Sequence, residues 1–369
     1  MSNRWLRLVT TVGVVGALIV PLGASAAAED YTVMHYASVN HPRGITVAPD
    51  GAVFAVDMGT GNNDAAILKL MDMDGNGMAD NGAEINYAVT SIPSALLTFE
   101  EGNEVSGISD VALGPDGEVY FVQAGFQVDP LSENHGTVWS TAARNTSGNQ
   151  LRTANPYASI TAAEHALNPD GGIVDSNPYA LVVDDEGNTY VNDAGANATF
   201  KVDTDGNVSV YAVYGPVAVP EEYGLPFPVT DYVPTGIAMG PDGALYVSGL
   251  TGFPFSEGSS MVYRLDDADG DGDVMEDGEM TVFAEGLSTS TALAFDNAGN
   301  LLATEFRSGL DPANPETLGR VVMWVDGAWD VVAENLITPT GLAVAPDGTI
   351  YVSQEFMGNI LAIRPAASE

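Results

Sequence analysis

The chain has 369 residues, with 11 Lys plus Arg against 50 Asp plus Glu, a formal charge of −39 and no Cys. That balance excludes an electrostatic nucleic-acid binder and argues against docking on anionic lipid, because both need a basic face. The missing cysteines exclude disulfides, Cys-ligated zinc, thiol catalysis and lipoprotein acylation, while 45% hydrophobic content with 41 Gly and 21 Pro fits a large core in a turn-rich all-β protein.

Residues 1–26 read as a Sec-type signal peptide. Arg4 and Arg7 form a positive start, and Leu8 to Val20 is an apolar run too short to span a bilayer comfortably. Pro21 and Gly23 break the run, and Ala24-Ser25-Ala26 offers a small-x-small cleavage site, with cleavage after Ala26 or Ala28. The competing reading is an uncleaved anchor. No later stretch reaches 18 apolar residues, so the expectation is an exported monomer, periplasmic or extracellular, with no transmembrane span in the mature chain. Cleavage leaves nine basic against 50 acidic residues, a charge of −41.

Residues 30–366 read as one repetitive domain. A small residue, a short apolar run, a Pro-Asp-Gly type turn and a second apolar run recur six times, around Gly51, Gly117, Gly187, Gly243, Gly299 and Gly348. Each pair is a hairpin whose turn chemistry suits tight reversal. A second hairpin usually follows, as in TFKVDTDGNVSVYAVY from Thr199. Four strands per unit, six times over, predicts an all-β six-bladed β-propeller of four-stranded antiparallel blades. The last unit ends one strand short, and Tyr31–Ala37 is a spare strand before the first repeat. That strand is expected to complete blade six and close the ring, removing two exposed sheet edges.

Alternating strands sort the connections onto two faces. With the Pro-Asp-Gly turns below, Gly125–Gly136, Thr161–Pro178, Gly215–Pro234, Thr251–Ser260 and Arg307–Gly319 all fall on the upper face. Extra length gathered on one face of a rigid scaffold is where binding or catalysis usually sits. Six residues past each turn glycine lie Asp57, Gln123, Asp193, Gly249, Glu305 and Gln354, expected to border the upper mouth of the channel. Seven before it lie Gly44, Asp110, Ala180, Gly236, Ala292 and Gly341. Asp110 stands where the other repeats have Gly or Ala, and a carboxylate there needs a cation or a hydrogen-bond donor.

Two acidic turns have metal-loop spacing. Asp72-Met-Asp74-Gly-Asn76-Gly-Met-Ala-Asp80 continues to Glu84, and Asp267-Ala-Asp269-Gly-Asp271-Gly-Asp273 continues to Glu279. Oxygen donors at positions 1, 3 and 5 with Gly at 6 suit a calcium loop, although each Glu falls at position 13 and the flanks are strands. Both loops join the third and fourth strands of their blades on the lower face, opposite the long loops. Structural calcium is the expectation; a solvated acidic turn is the alternative. There is no Gly-x-Ser-x-Gly elbow, phosphate-cradling glycine loop or His-Glu-x-x-His. His35 lies in the closing strand, and His41, His135 and His165 map to upper loops.

NPDGGIVDSNPYALVVDDEGN from Asn168, VPTGIAMGPDGALYVSGLTGFPF from Val233 and PTGLAVAPDGTIYVS from Pro339 resemble the ScyD/ScyE family, exported propellers named for genes of the scytonemin cluster. The generic repeat is shared with NHL propellers; the Asn-Pro-Asp-Gly-Gly and Leu-Thr-Gly-Phe-Pro-Phe segments are more specific. The resemblance marks Asn168, Asp170, Asp175, Asn177, Tyr179 and Thr251–Phe255, including Phe253 and Phe255. It departs at Ile108-Ser-Asp110, where the family carries a His beside the Asp, which argues against acid–base chemistry there. The resemblance implies a fold and an address but no reaction.

Two functional classes follow. The first is a non-catalytic scaffold binding a small molecule, glycan or envelope protein through Asp57, Asp110, Asp170, Asp175, Asn177, Tyr179, Asp193, Phe253, Phe255 and Glu305, with calcium held by Asp72, Asp74, Asn76, Asp80, Glu84, Asp267, Asp269, Asp271, Asp273 and Glu279. The second is a calcium-dependent lactonase or esterase like the gluconolactonase propellers, with Glu305, Asn177, Asp193 and Asp110 imitating their channel ligands.

Overall fold

The computed structural model describes residues 31–99, 102–124, 134–141, 151–307 and 318–366. The predicted leader and most of the upper loops Gly125–Gly136 and Arg307–Gly319 lie outside the described residues. Six antiparallel sheets form a β-propeller, as the repeat requires. Blade one contains Ile45–Val47, Val53–Asp57, Ala65–Leu70 and Ile85–Ile92. Blade four contains Pro234–Met239, Leu245–Gly249, Ser260–Leu265 and Met280–Leu287. The first strand of every blade touches the first strands of both neighbours, so these six strands ring the axis.

The six turns are built alike. Each turn glycine has a positive φ, from 78° at Gly117 to 89° at Gly187 and Gly299. Its N–H donates to the carbonyl three residues back, at 2.9 Å from Gly51 to Ala48 and 3.1 Å from Gly187 to Asp184. A residue with a Cβ is strained in that conformation, which is why the repeat fixes Gly there.

Blade six closes as expected. Tyr31–Ser38 lies antiparallel to Asn359–Pro365, with Tyr31 opposite Pro365 and Ser38 opposite Asn359. The apolar residues fall into six clusters, one between each pair of adjacent blades. The second strands are therefore covered on both faces, and all five residues of Val53–Asp57 are buried.

Among the described residues three features go beyond the repeat, one of them a two-stranded ribbon of Val217–Ala218 and Val229–Thr230 before blade four. Blade two gains a fifth strand, Ala95–Phe99, paired with the first half of the long strand Gly102–Leu113. The link from blade two to blade three carries a helix, Ile160–Leu167, started by the Ser159 hydroxyl accepting from the Ala162 N–H and ended by Asn168 at φ 39°. No helix among the described residues is long and apolar enough to cross a membrane.

Candidate functional site

The upper mouth is shaped by the residue just before each small repeat position: Arg43, Ser109, Tyr179, Thr235, Thr291 and Thr340. Four of these carry hydroxyls that donate to a carbonyl of the next blade. Ser109 reaches Pro178 at 3.2 Å, Thr235 reaches Ser290 at 2.7 Å, Thr291 reaches Pro339 at 3.0 Å and Thr340 reaches Pro42 at 3.4 Å. Blades one and three break this belt with Arg43 and Tyr179. The Arg43 guanidinium lies 4.5 Å from the centre of the Tyr179 ring, and its Nε is 3.9 Å from Glu355 Oε2 of blade six.

Asp110, of the intervening blade two, is near enough for its charge to act on both Arg43 and Tyr179. Its Oδ1 accepts from the Val111 N–H at 2.8 Å and its Oδ2 from the Leu181 N–H of blade three at 2.9 Å. Burial pushes its carboxyl up to about 7, against the opposing pull of those donors and of Arg43. The glycine of blade one makes room for it. A Cβ on Gly44 would stand 1.9 Å from Asp110 Oδ1 and 2.5 Å from its Cα. Neighbouring inner strands approach equally closely at Gly341, where a Cβ would meet the Arg43 carbonyl at 2.2 Å. The small repeat position is thus set by inter-strand distance, and Asp110 occupies space its neighbour vacates.

The other polar series has a shared role. Each member holds the link entering its own blade. Asp57 Oδ2 accepts from Asn40 at 3.3 Å, Gln123 donates to the Pro93 carbonyl at 2.9 Å, and Gln354 donates to Ile337 at 3.0 Å. Asp193 accepts from the Asn177, Gly195 and Ala196 N–H groups and from the Ser176 hydroxyl. Glu305, fully buried, accepts from the Ser288 N–H at 2.7 Å and pairs with Arg320. At Gly249 the link itself fills the space, since a Cβ would meet the Tyr232 carbonyl at 2.4 Å.

Apart from Tyr179, the residues marked by the family resemblance fall in links between strands. Asp170 accepts from the Gly172 N–H at 2.7 Å and from Asn197 at 3.0 Å. Asp175 and Asn177 follow in the same link before blade three. Phe253 and Phe255, between the second and third strands of blade four, meet edge to face at 6.3 Å, both half-exposed. Sequence reasoning missed Arg43, Glu355 and the fully buried Glu164 of the short helix.

The two acidic loops on the lower face share one conformation. Asp72 Oδ1 accepts from Gly75 N–H at 2.7 Å and Oδ2 from Gly77 at 2.8 Å; Asp267 does the same with Gly270 at 2.8 Å and Gly272 at 3.0 Å. Glu84 Oε1 accepts from Met73 and Asp74, and Glu279 Oε1 from Ala268 and Asp269. Gly75 and Gly270 both stand at φ 78°. The carboxylates of Asp72, Asp74 and Glu84 converge, as do those of Asp267, Asp269 and Asp271, and of Asp271, Asp273 and Glu276. Asn76 and Asp80 lie 3.5 Å apart in the first loop. Glu279 Oε2 is buried with no hydrogen-bond partner. Each loop also grips the outer strand of the preceding blade: Ala79 N–H donates to the Tyr36 carbonyl at 2.8 Å, and Val274 N–H to that of Tyr211 at 2.9 Å. Hard oxygens converging in this pattern fit a calcium ion.

A family model for a domain of unknown function, DUF7133, matches residues 229–360. No curated protein matches the chain. Among solved structures, a streptogramin B lyase is similar at 15% identity and TM-score 0.52, covering 93% of this chain and 100% of that one. A gluconolactonase of Xanthomonas campestris is similar at 12% identity and TM-score 0.55, covering 93% and 94%. A catalytically inactive virginiamycin B lyase of Staphylococcus aureus, solved with quinupristin, is similar at 16% identity and TM-score 0.50, covering 91% and 100%. The shared feature is the propeller fold.

Proposed function

We propose that this chain is an exported propeller of the ScyD/ScyE kind. It binds a small molecule, glycan or envelope protein through its upper face without chemical turnover, and calcium in its two lower loops serves the fold. The observation that carries this reading is the Arg43–Tyr179 pair, with Asp110 within reach of its charge. In a chain of 11 basic and 50 acidic residues, a cation at that position offers a docking point for a carboxylate or other electron-rich group. A guanidinium on a ring face also presents a flat surface on which a sugar or aromatic ring can lie. Half-exposed Phe253 and Phe255 on the same face extend that chemistry.

The alternative is a lactonase or esterase using Glu305, Asn177, Asp193 and Asp110 around a catalytic cation. What favours binding is that these carboxylates already serve the scaffold: Asp193 through four donors, Glu305 through Ser288 and Arg320, and Asp110 through two N–H groups. An array of immobilised glycans and a library of small carboxylates, read by binding and by thermal shift, test the proposal. Hits lost in Arg43→Ala and kept in Glu355→Gln support it. Hits indifferent to Arg43 contradict it.

A further inference from the structure

Glu164 is fully buried in the helix Ile160–Leu167, and neither of its carboxylate oxygens has a hydrogen-bond partner. One helical turn on, the buried Oδ1 of Asn168 is also without a partner. Buried polar atoms are nearly always satisfied, so three orphan acceptors on one helix face demand an explanation. Asp175's amide lies near enough to favour the Glu164 carboxylate but makes no hydrogen bond of normal geometry. The charges that act most strongly on Glu164 are all negative: Asp193, Asp170 and Asp175.

We infer that Glu164, with Asn168 and Asp175, forms a third cation site, for a hard divalent ion of the calcium type, at the junction of blades two and three. All the unsatisfied groups are oxygen acceptors, and what they lack in common is a positive charge. A proton on Glu164, donated to Asn168 Oδ1, would satisfy those two atoms and leave the second carboxyl oxygen unmet. A water would satisfy oxygens but leave the carboxylates repelling one another. A hard cation answers both, since carboxylate and amide oxygens are its ordinary ligands.

The surroundings suit such a site. Asp170 is held by Gly172 and Asn197, and Ser176 bridges Thr161 at 3.0 Å to Asp193 at 2.7 Å, so the cage is anchored to the helix and to blade three. Asp175 is exposed, which gives an ion a way in, and His135 acts on Asp175 from blade two. The ion would tie the helix to the link carrying Asp170–Asn177, on the upper face rather than in the lower loops. This inference does not rest on the ligand-binding reading or on calcium in the loops.

Equilibrium dialysis of the full chain against calcium, after stripping with a chelator, tests it together with anomalous diffraction from calcium-soaked crystals. The expected result is a peak beside Glu164 in the wild type, absent in Glu164→Gln, and a stoichiometry lower by one in the variant. A wild-type map with no peak beside Glu164 overturns the inference, whatever it shows at Asp72 or Asp267. A peak that persists in Glu164→Gln also overturns it. If that variant fails to fold, the wild-type map decides alone. A peak at Glu164 with bare loops upholds this site and removes the loop assignment.

Discussion

Arg43 and Tyr179 occupy the same repeat position in blades one and three, and they meet, guanidinium to ring face at 4.5 Å, across the mouth of the blade between them. Four other blades place a hydroxyl at this position and use it to bind the next blade. Arg43 and Tyr179 instead meet each other, and Arg43 also lies beside Glu355 of blade six. Replacing Arg43 by Ala should lower stability by about 1–3 kcal/mol, because a cation–π contact and the Glu355 pair are lost together. Calorimetry would check this, and the melting temperature should stay within a few degrees of the wild type while upper-face binding is lost.

Asp110 gives a pH-dependent stability term. Its folded-state carboxyl, pushed up to about 7 by burial, titrates above an unfolded Asp at about 3.9. The folded chain thus holds a proton that the unfolded chain has released across that window. The stabilisation is full below pH 4 and is lost as pH rises through 7. At about 1.4 kcal/mol per tenfold change in the acid constant, the loss is on the order of 4 kcal/mol. Denaturant titrations from pH 4 to 8 should show Asp110→Asn gaining on the wild type as pH rises; parallel curves would contradict this.

Ring closure rests on Tyr36, 1% exposed and 4.7 Å from the Tyr351 ring. Tyr36→Ala should cost about 3–5 kcal/mol, as for other buried aromatic truncations. Deleting residues 31–38 bares the edge of Asn359–Pro365, and the product should unfold or aggregate on size-exclusion chromatography.

The first acidic loop also holds this closing strand, through Ala79 and the Tyr36 carbonyl. Calcium at one hundred times its dissociation constant would add about 2.7 kcal/mol per site. Chelation should therefore lower the melting temperature. Asp72→Ala should speed amide exchange in Tyr31–Ser38, whereas Asp267→Ala should instead loosen Val208–Val213, which contains Tyr211.

The turn glycines and the spare first strand made the blade count and closure legible in the sequence, because both follow from backbone requirements that recur at fixed spacing. The six-residue offset also picked out Asp57, Asp193 and Glu305 as one series, each ending the second strand of its blade. It did not give their partners, since alternation says which face a side chain takes but not which link passes beside it. Arg43 carried a readable signal as one of two exceptions, with Tyr179, among Ser and Thr at its repeat position. Glu164 carried little signal, because a single Glu in an eight-residue helix looks solvated until the packing of the link is known.

The most direct test of binding without turnover is an assay of the calcium-loaded protein against a panel of lactones and aryl esters. No turnover above buffer is predicted. Turnover that requires calcium and disappears in Asp110→Asn and Glu305→Gln would contradict the account and assign the channel a hydrolytic role.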